Sequence, residues 1–185
     1  MAESPSTQGT EDDVFTFESA ANKEFPLAPE GPHQVIVEKA IFSLKENKFK
    51  PAAGKQPTVS LHLLSTQEYE DKETKNKRRY KLFITMKISD HEKATMFDFF
   101  NSVLGMPVPL TEDKKITLAN KKVKPKEGEE GEEKIHLPQF ENLEFSIIVK
   151  HKKGEDDGKM RDRVDSWFAT PEQKVANAAL FRGAA

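Results

Sequence analysis

The stretch Arg78–Ile88, RRYKLFITMKI, carries the pattern from which the fold is predicted. Successive side chains of a β-strand point to opposite faces, so residues of one parity share a face. The apolar parity comprises Tyr80, Leu82, Ile84, Met86 and Ile88. The other parity comprises Arg79, Lys81, Phe83, Thr85 and Lys87. The pattern predicts a strand with one core face and one basic face that has an aromatic ring at its centre.

Such a basic face is typical of surfaces that neutralise a phosphate backbone and stack a base. A solubilising face with one exposed phenylalanine is the alternative interpretation.

Four further strands are indicated by similar alternation. His33–Leu44 changes parity midway, which predicts a bulge, and Val59, Leu61 and Leu63 give Thr58–Leu64 a core face. In Asn142–Lys150 we expect Leu143, Phe145, Ile147 and Val149 to point inward and Glu144, Ser146 and Lys150 outward. In Met160–Phe168 we expect Val164, Ser166 and Phe168 on one side and Arg161, Arg163, Asp165 and Trp167 on the other.

Two helices are predicted. Ser89 and Glu92 have the spacing of a capping box, and an apolar stripe follows at helical spacing, formed by Met96, Phe97, Phe100, Val103 and Leu104. Gly105 is predicted to adopt the left-handed conformation at the end of this helix. Thr170 and Pro171 predict the start of a terminal helix that runs to about Phe181 and packs on its own domain or on a neighbouring subunit.

The connections divide the chain into a domain with two extensions. Residues 1–24 are predicted to be an acidic flexible tail, residues 25–169 one domain, and residues 170–185 a helical tail. The predicted connection after the first helix contains an acidic low-complexity insert at 124–134 and a short strand near Lys115–Val123. The predicted turns include a polar connection at Gln67–Lys77.

The element order β-β-β-α-β-β is that of a five-stranded OB-fold barrel, so we expect an all-β domain with one or two helices. The chain resembles phage-encoded OB-fold single-stranded DNA-binding proteins over Glu30 to Phe168. The stretches that carry the resemblance are Pro29–Gly31, Val35–Ala40, Arg78–Ile88, Leu104–Met106 and Arg161–Phe168. Many such proteins end in an acidic tip, whereas this chain ends in LFRGAA, so recruitment of partners by the C-terminus is not implied.

OB barrels bind ligands along strands two and three, between two flanking loops. The candidate nucleic-acid-binding residues in the first loop and beside it are Lys45, Lys48, Phe49, Lys50 and Lys55. Those on the third strand are Arg79, Lys81, Phe83 and Lys87. Those at the second loop and on the last strand are Lys150, Lys152, Lys153, Arg161, Arg163 and Trp167. We therefore expect a protein that coats single-stranded DNA, or RNA, in replication and recombination.

The composition and the motifs of the sequence argue against several other classes of function. The chain has no cysteine and an overall net charge of −2, with seven acidic residues and one lysine in residues 1–30. No HExxH motif or phosphate-binding glycine loop is found, so we expect neither an enzyme nor a metal or other cofactor. No apolar run is long enough for a membrane span, and the N-terminus lacks the features of a signal peptide. We expect a cytoplasmic protein (host-cell cytoplasm if it is phage-encoded), with a protein-interaction adaptor as the alternative function and replication or recombination proteins as further partners.

Overall fold

The computed structural model describes residues 26–46, 52, 54–89, 91, 94–113, 115–124, 134–155 and 157–184. The predicted acidic tail and most of the acidic insert lie outside these residues, as do Lys48, Phe49 and Lys50.

The described residues form a mostly β structure with two helices, which confirms the predicted class. The strands are β1 (Gly31–Glu46), β2 (Lys55–Glu70), β3 (Lys77–Lys87), β4 (Lys121–Val123), β5 (Lys134–His136), β6 (Glu144–Lys153) and β7 (Met160–Phe168). The helices are α1, which is α-helical over Thr95–Phe99 and π-helical over Phe100–Leu104, and α2 (Pro171–Gly183). A 3-10 turn spans Pro138–Phe140.

One antiparallel sheet contains all seven strands. The long strands pair in the order β3-β2-β1-β6-β7. The first half of β1 pairs with β6, and its second half pairs with β5, which in turn pairs with β4. β3 and β7 contact each other, but no backbone ladder joins them within the described residues. The sheet is therefore open by its backbone pairing.

The parity change predicted for the first strand is confirmed as a bulge at Glu38. Val35 and Val37 are buried before the bulge and Ala40 is buried after it. The extra residue reverses which parity faces the core, because two residues of β1 occupy the space opposite one residue of β2. As a result, Lys39 lies opposite His62 on the outer face.

The hairpin between β2 and β3 is tighter than predicted. The expected polar connection Gln67–Lys77 shrinks to a turn between Glu70 and Lys77, because the strands continue past a second irregularity after Leu64. The Asp71 carboxylate accepts hydrogen bonds from two backbone N–H groups of this turn, at 3.0 Å each. These bonds stabilise the charged form, and the backbone bond from Thr74 is the largest cause that lowers the pKa of Asp71.

Ser89 does not cap the first helix as predicted, and Glu92, the other residue of the predicted capping box, lies outside the described residues. The Ser89 hydroxyl instead accepts a hydrogen bond from the backbone N–H of His91, and the helix begins at Thr95 without a side-chain cap. Gly105 adopts the predicted left-handed conformation, with φ of 61°, and its N–H donates to the Phe100 carbonyl five residues earlier. The buried face of this helix contains Phe99 in place of the predicted Phe97, together with Met96, Phe100, Val103 and Leu104.

The predicted faces of the last strand are wrong at their C-terminal end. A register shift between Ile148 and Val149 leaves Asp165 without an opposite residue on β6. Trp167 consequently lies on the inner side with Val164 and packs against Phe99, with a distance of 6.0 Å between ring centroids. It does not share the exposed side of Arg161 and Arg163.

The terminal helix α2 forms as predicted and covers one end of β6. Thr170 and Gln173 form a reciprocal capping box at its start. The buried Asn177 side chain accepts from the backbone N–H of Glu144 and donates to its carbonyl, at 3.1 and 2.9 Å. Ser146, predicted to point to solvent, is buried instead and accepts a hydrogen bond from Gln34. No helix within the described ranges is long and apolar enough to cross a membrane.

Candidate nucleic-acid interface

The outer face of β3 is the best-defined part of the candidate site. Leu82, Ile84 and Met86 are buried, as the sequence pattern predicts. We name the exposed cations and the aromatic residue between and beside them the β3 row, which consists of Arg79, Lys81, Phe83 and Lys87. The Phe83 side chain is 57% exposed, although a ring of this size is commonly buried. The structure therefore confirms that β3 has an aromatic ring exposed among cations.

The cations of the β3 row have few acidic neighbours in the described part of the chain, although Glu68 on β2 lies opposite Arg79. None of them forms an ion pair with a residue that the structure describes. The nearby Arg78 does form one, with Asp71 at 3.1 Å. Cations that form no ion pair are available to bind phosphate groups.

The outer face continues from β3 across the sheet. Phe83 lies opposite His62 on β2, and His62 lies opposite Lys39 on β1. The ring centroids of Phe83 and His62 are 4.9 Å apart in an edge-on arrangement. Phe83 is thus held from one side by a neighbouring ring while its other surroundings remain open to solvent.

Three more side chains extend this face toward the β4–β5 hairpin. Ile41 on β1 lies opposite His136 on β5, which lies opposite Lys121 on β4. Lys134 shares the parity of His136 and, like His136, contributes to the electrostatic potential at His62. His136 is 3.6 Å from the Glu141 carboxylate. We name the combined surface the basic face: the β3 row with Lys39, His62, Lys121, Lys134 and His136.

His62 is held in its neutral form. Partial burial is the largest cause that lowers its pKa, and the positive charge of Lys39 acts in the same direction. Glu38 acts in the opposite direction but does not cancel the shift. The imidazole is therefore uncharged at neutral pH and provides a flat polar ring beside Phe83.

We expect a bound polyanion to raise the pKa of His62. In the free protein, the NMR titration of the His62 ring should have its midpoint below 6.5, its ordinary value. A bound oligonucleotide favours the protonated ring, so the midpoint should move up and affinity should increase as the pH falls through the interval between the two midpoints. His62→Gln should remove this share of the pH dependence. An unchanged midpoint on saturation with oligonucleotide would place His62 away from the bound strand.

The β6–β7 hairpin carries less uncompensated positive charge than its sequence predicts. Three of its predicted binding residues already have acidic partners. The pairs are Lys150 with Asp165 at 2.8 Å, Lys152 with Glu155 at 4.0 Å, and Arg161 with Asp157. Lys153 and Arg163 are exposed and have no acidic partner in the described part of the chain. An open cavity of about 330 Å³ lies between these side chains.

The loop between β1 and β2 is described only at its ends. Lys45 and Lys55 are exposed there and occupy neighbouring rungs, opposite Gln56 and Glu46 respectively. Trp167 is partly buried and its indole N–H has no hydrogen-bond partner within the described residues. The indole ring packs against Phe99 of the core, so Trp167 does not join the exposed cations of β7.

Sequence reasoning found the β3 row but missed Lys39, His62, Lys121, Lys134 and His136. The bulge at Glu38 is visible in the sequence only as a change of parity, which does not give its position. The β4–β5 hairpin joins two short segments, and such short strands carry little periodic signal. No three histidine or acidic side chains among the described residues converge in a way that could hold a metal ion.

Comparison with known proteins gives no assignment. No protein-family model matches the sequence, and a search of curated proteins finds no significant match.

Proposed function

We propose that this protein binds single-stranded DNA with little sequence preference. The observation that supports the proposal most is the exposed Phe83 ring among the cations Arg79, Lys81 and Lys87, none of which forms an ion pair with a described residue. A stacking platform inside a positively charged surface suits an unpaired strand, because its bases are free to stack while its phosphates bind cations. In duplex DNA the bases are stacked inside the helix, so no base face is available to stack on Phe83.

We further propose that the domain is an OB-type barrel. The strand path β3-β2-β1-β6-β7, with α1 between the third and fourth long strands, agrees with the connectivity expected for this fold. The edges β3 and β7 contact each other, as the edges of a partly open barrel do. The basic face then corresponds to the strand face on which OB domains bind single strands.

The contacts predict how binding depends on salt and sequence. Lysine and arginine side chains release condensed counterions when they neutralise phosphates, so affinity should fall steeply with salt. Stacking on Phe83 tolerates any base, because every base has a π face. The resemblance to phage single-stranded DNA-binding proteins supports a role in phage or bacterial DNA replication and recombination.

The test is fluorescence anisotropy with a labelled oligonucleotide of about thirty nucleotides, single-stranded and duplex, at about 50 and 200 mM salt. We expect tight, salt-sensitive binding to the single strand and weak binding to the duplex. Phe83→Ala should weaken binding by about 1–3 kcal/mol, or about 5- to 150-fold, because one stack is lost. A competing RNA of the same sequence measures the preference for DNA.

Phe168→Ala is the matched control, since Phe168 is 47% exposed but lies on β7, outside the basic face. It should leave the affinity unchanged. Absence of binding to either oligonucleotide at low salt would overturn the proposal and leave the basic face as a surface for an acidic protein partner.

A further inference from the structure

The outer face of α2 is apolar and lacks a partner among the described residues. Its inner side is fixed to the domain by Asn177 and Phe181, both buried. The outward positions follow helical spacing of i, i+3, i+4, i+7 and i+8. They are Glu172, Val175, Ala176, Ala179 and Leu180, all exposed.

The exposure of the two large side chains on this face requires an explanation. Val175 is 73% exposed and Leu180 is 47% exposed, and they flank two alanines. Contiguous apolar surface of this kind marks an interaction site on many proteins. The charged residues at the two ends of the face indicate what kind of partner fits.

The face is complementary to itself in antiparallel orientation. In two helices related by a twofold axis near Asn177 and Ala178, the helix geometry places Val175 opposite Ala179 of the second copy. Leu180 lies opposite Ala176 of the second copy in the same arrangement. Each large side chain meets a small one, which lets the helices approach closely, as ridges-into-grooves packing requires.

The charges fit the same arrangement. Glu172 at the start of the helix lies opposite Arg182 of the second copy near its end. Both side chains are exposed, and neither forms an ion pair with a residue in the described parts of its own chain. Two such intermolecular pairs form in each dimer. A parallel arrangement would instead place like charges together.

We propose that the protein forms a twofold dimer through α2, with a second copy of this chain as the partner. α2 contacts α1, the 3-10 turn and β6, so the basic-face strands β2 and β3 remain free in the dimer. One helix pair buries less surface than the interfaces of permanently associated proteins. We therefore expect a dissociation constant in the micromolar range.

Sedimentation equilibrium of the full chain without nucleic acid tests this proposal independently of DNA binding. The apparent mass should rise from about 21 kDa toward twice that value between about 1 and 200 µM. Glu172→Arg or Arg182→Glu should each raise the dissociation constant at least about tenfold, because like charges then face each other. The double variant should restore it to within about threefold of the original.

Glu112→Arg is the matched control, since it makes the same change of charge at an exposed residue outside α2. It should leave the dissociation constant unchanged. Circular dichroism confirms folding of each variant. A chain that stays monomeric at about 200 µM, the highest concentration tested, overturns the proposal. A double variant that associates no better than the single variants overturns it as well.

Discussion

Replacement of Arg79, Lys81 and Lys87 together by alanine should remove about two units from the slope of log affinity against log salt. Each phosphate neutralised on a single strand contributes about 0.7 to this slope, and the triple variant loses three. Counterion release vanishes near molar salt, so the same arithmetic gives a loss of about thirtyfold at 200 mM and about five hundredfold at 50 mM. Anisotropy titrations at four or more salt concentrations would measure the slope directly.

The matched variant replaces Lys150, Lys152 and Arg161 by alanine. It changes the net charge of the protein by the same amount, but these cations already face Asp165, Glu155 and Asp157. We expect a clearly smaller change in slope, since cations already paired with carboxylates neutralise fewer phosphates and so release fewer of the counterions condensed on the strand. Equal slopes for the two variants would show that the total charge, rather than the β3 row, determines binding.

The fold was predictable wherever a strand has one face in the core and one in solvent. In β3 and β6 the period-two pattern placed Leu82, Ile84, Phe145 and Ile147 correctly, because burial of apolar side chains fixes the register. The prediction was wrong where a local irregularity changes the period. The register shift between Ile148 and Val149 turns Trp167 of β7 inward. No residue type in β7 indicates this shift.

Only the part of the candidate site that lies within a single strand was predictable from the sequence. The β3 row lies within one strand, so its composition is visible in a continuous stretch of sequence. Lys39, His62 and Lys134 lie together because β1, β2 and the β4–β5 hairpin pair across the sheet. Their proximity depends on the register of strands far apart in sequence, which composition and periodicity do not determine.

The buried face of the first helix differs from the face that the sequence pattern predicts. A regular α-helix with the predicted stripe would bury Phe97 and leave Phe99 outside it. The structure differs from this stripe: Phe99 is fully buried, whereas Phe97 is only partly buried. Phe99 lies three residues after the buried Met96, so it belongs to the same helical face. The Phe99 ring packs against Phe145 and Phe140, at centroid distances of 5.4 and 6.3 Å.

Phe99→Ala should therefore lower the free energy of unfolding by about 3–5 kcal/mol, because it removes a buried ring and leaves a cavity between the helix and the sheet. Phe97→Ala should cost clearly less, and Phe83→Ala less than about 0.5 kcal/mol since its ring is mostly in solvent. Urea denaturation of the three variants measures the ranking. If Phe97→Ala proves the more damaging, Phe97 is the buried ring of this helix, as the sequence pattern predicts, and the aromatic cluster around Phe99 does not form.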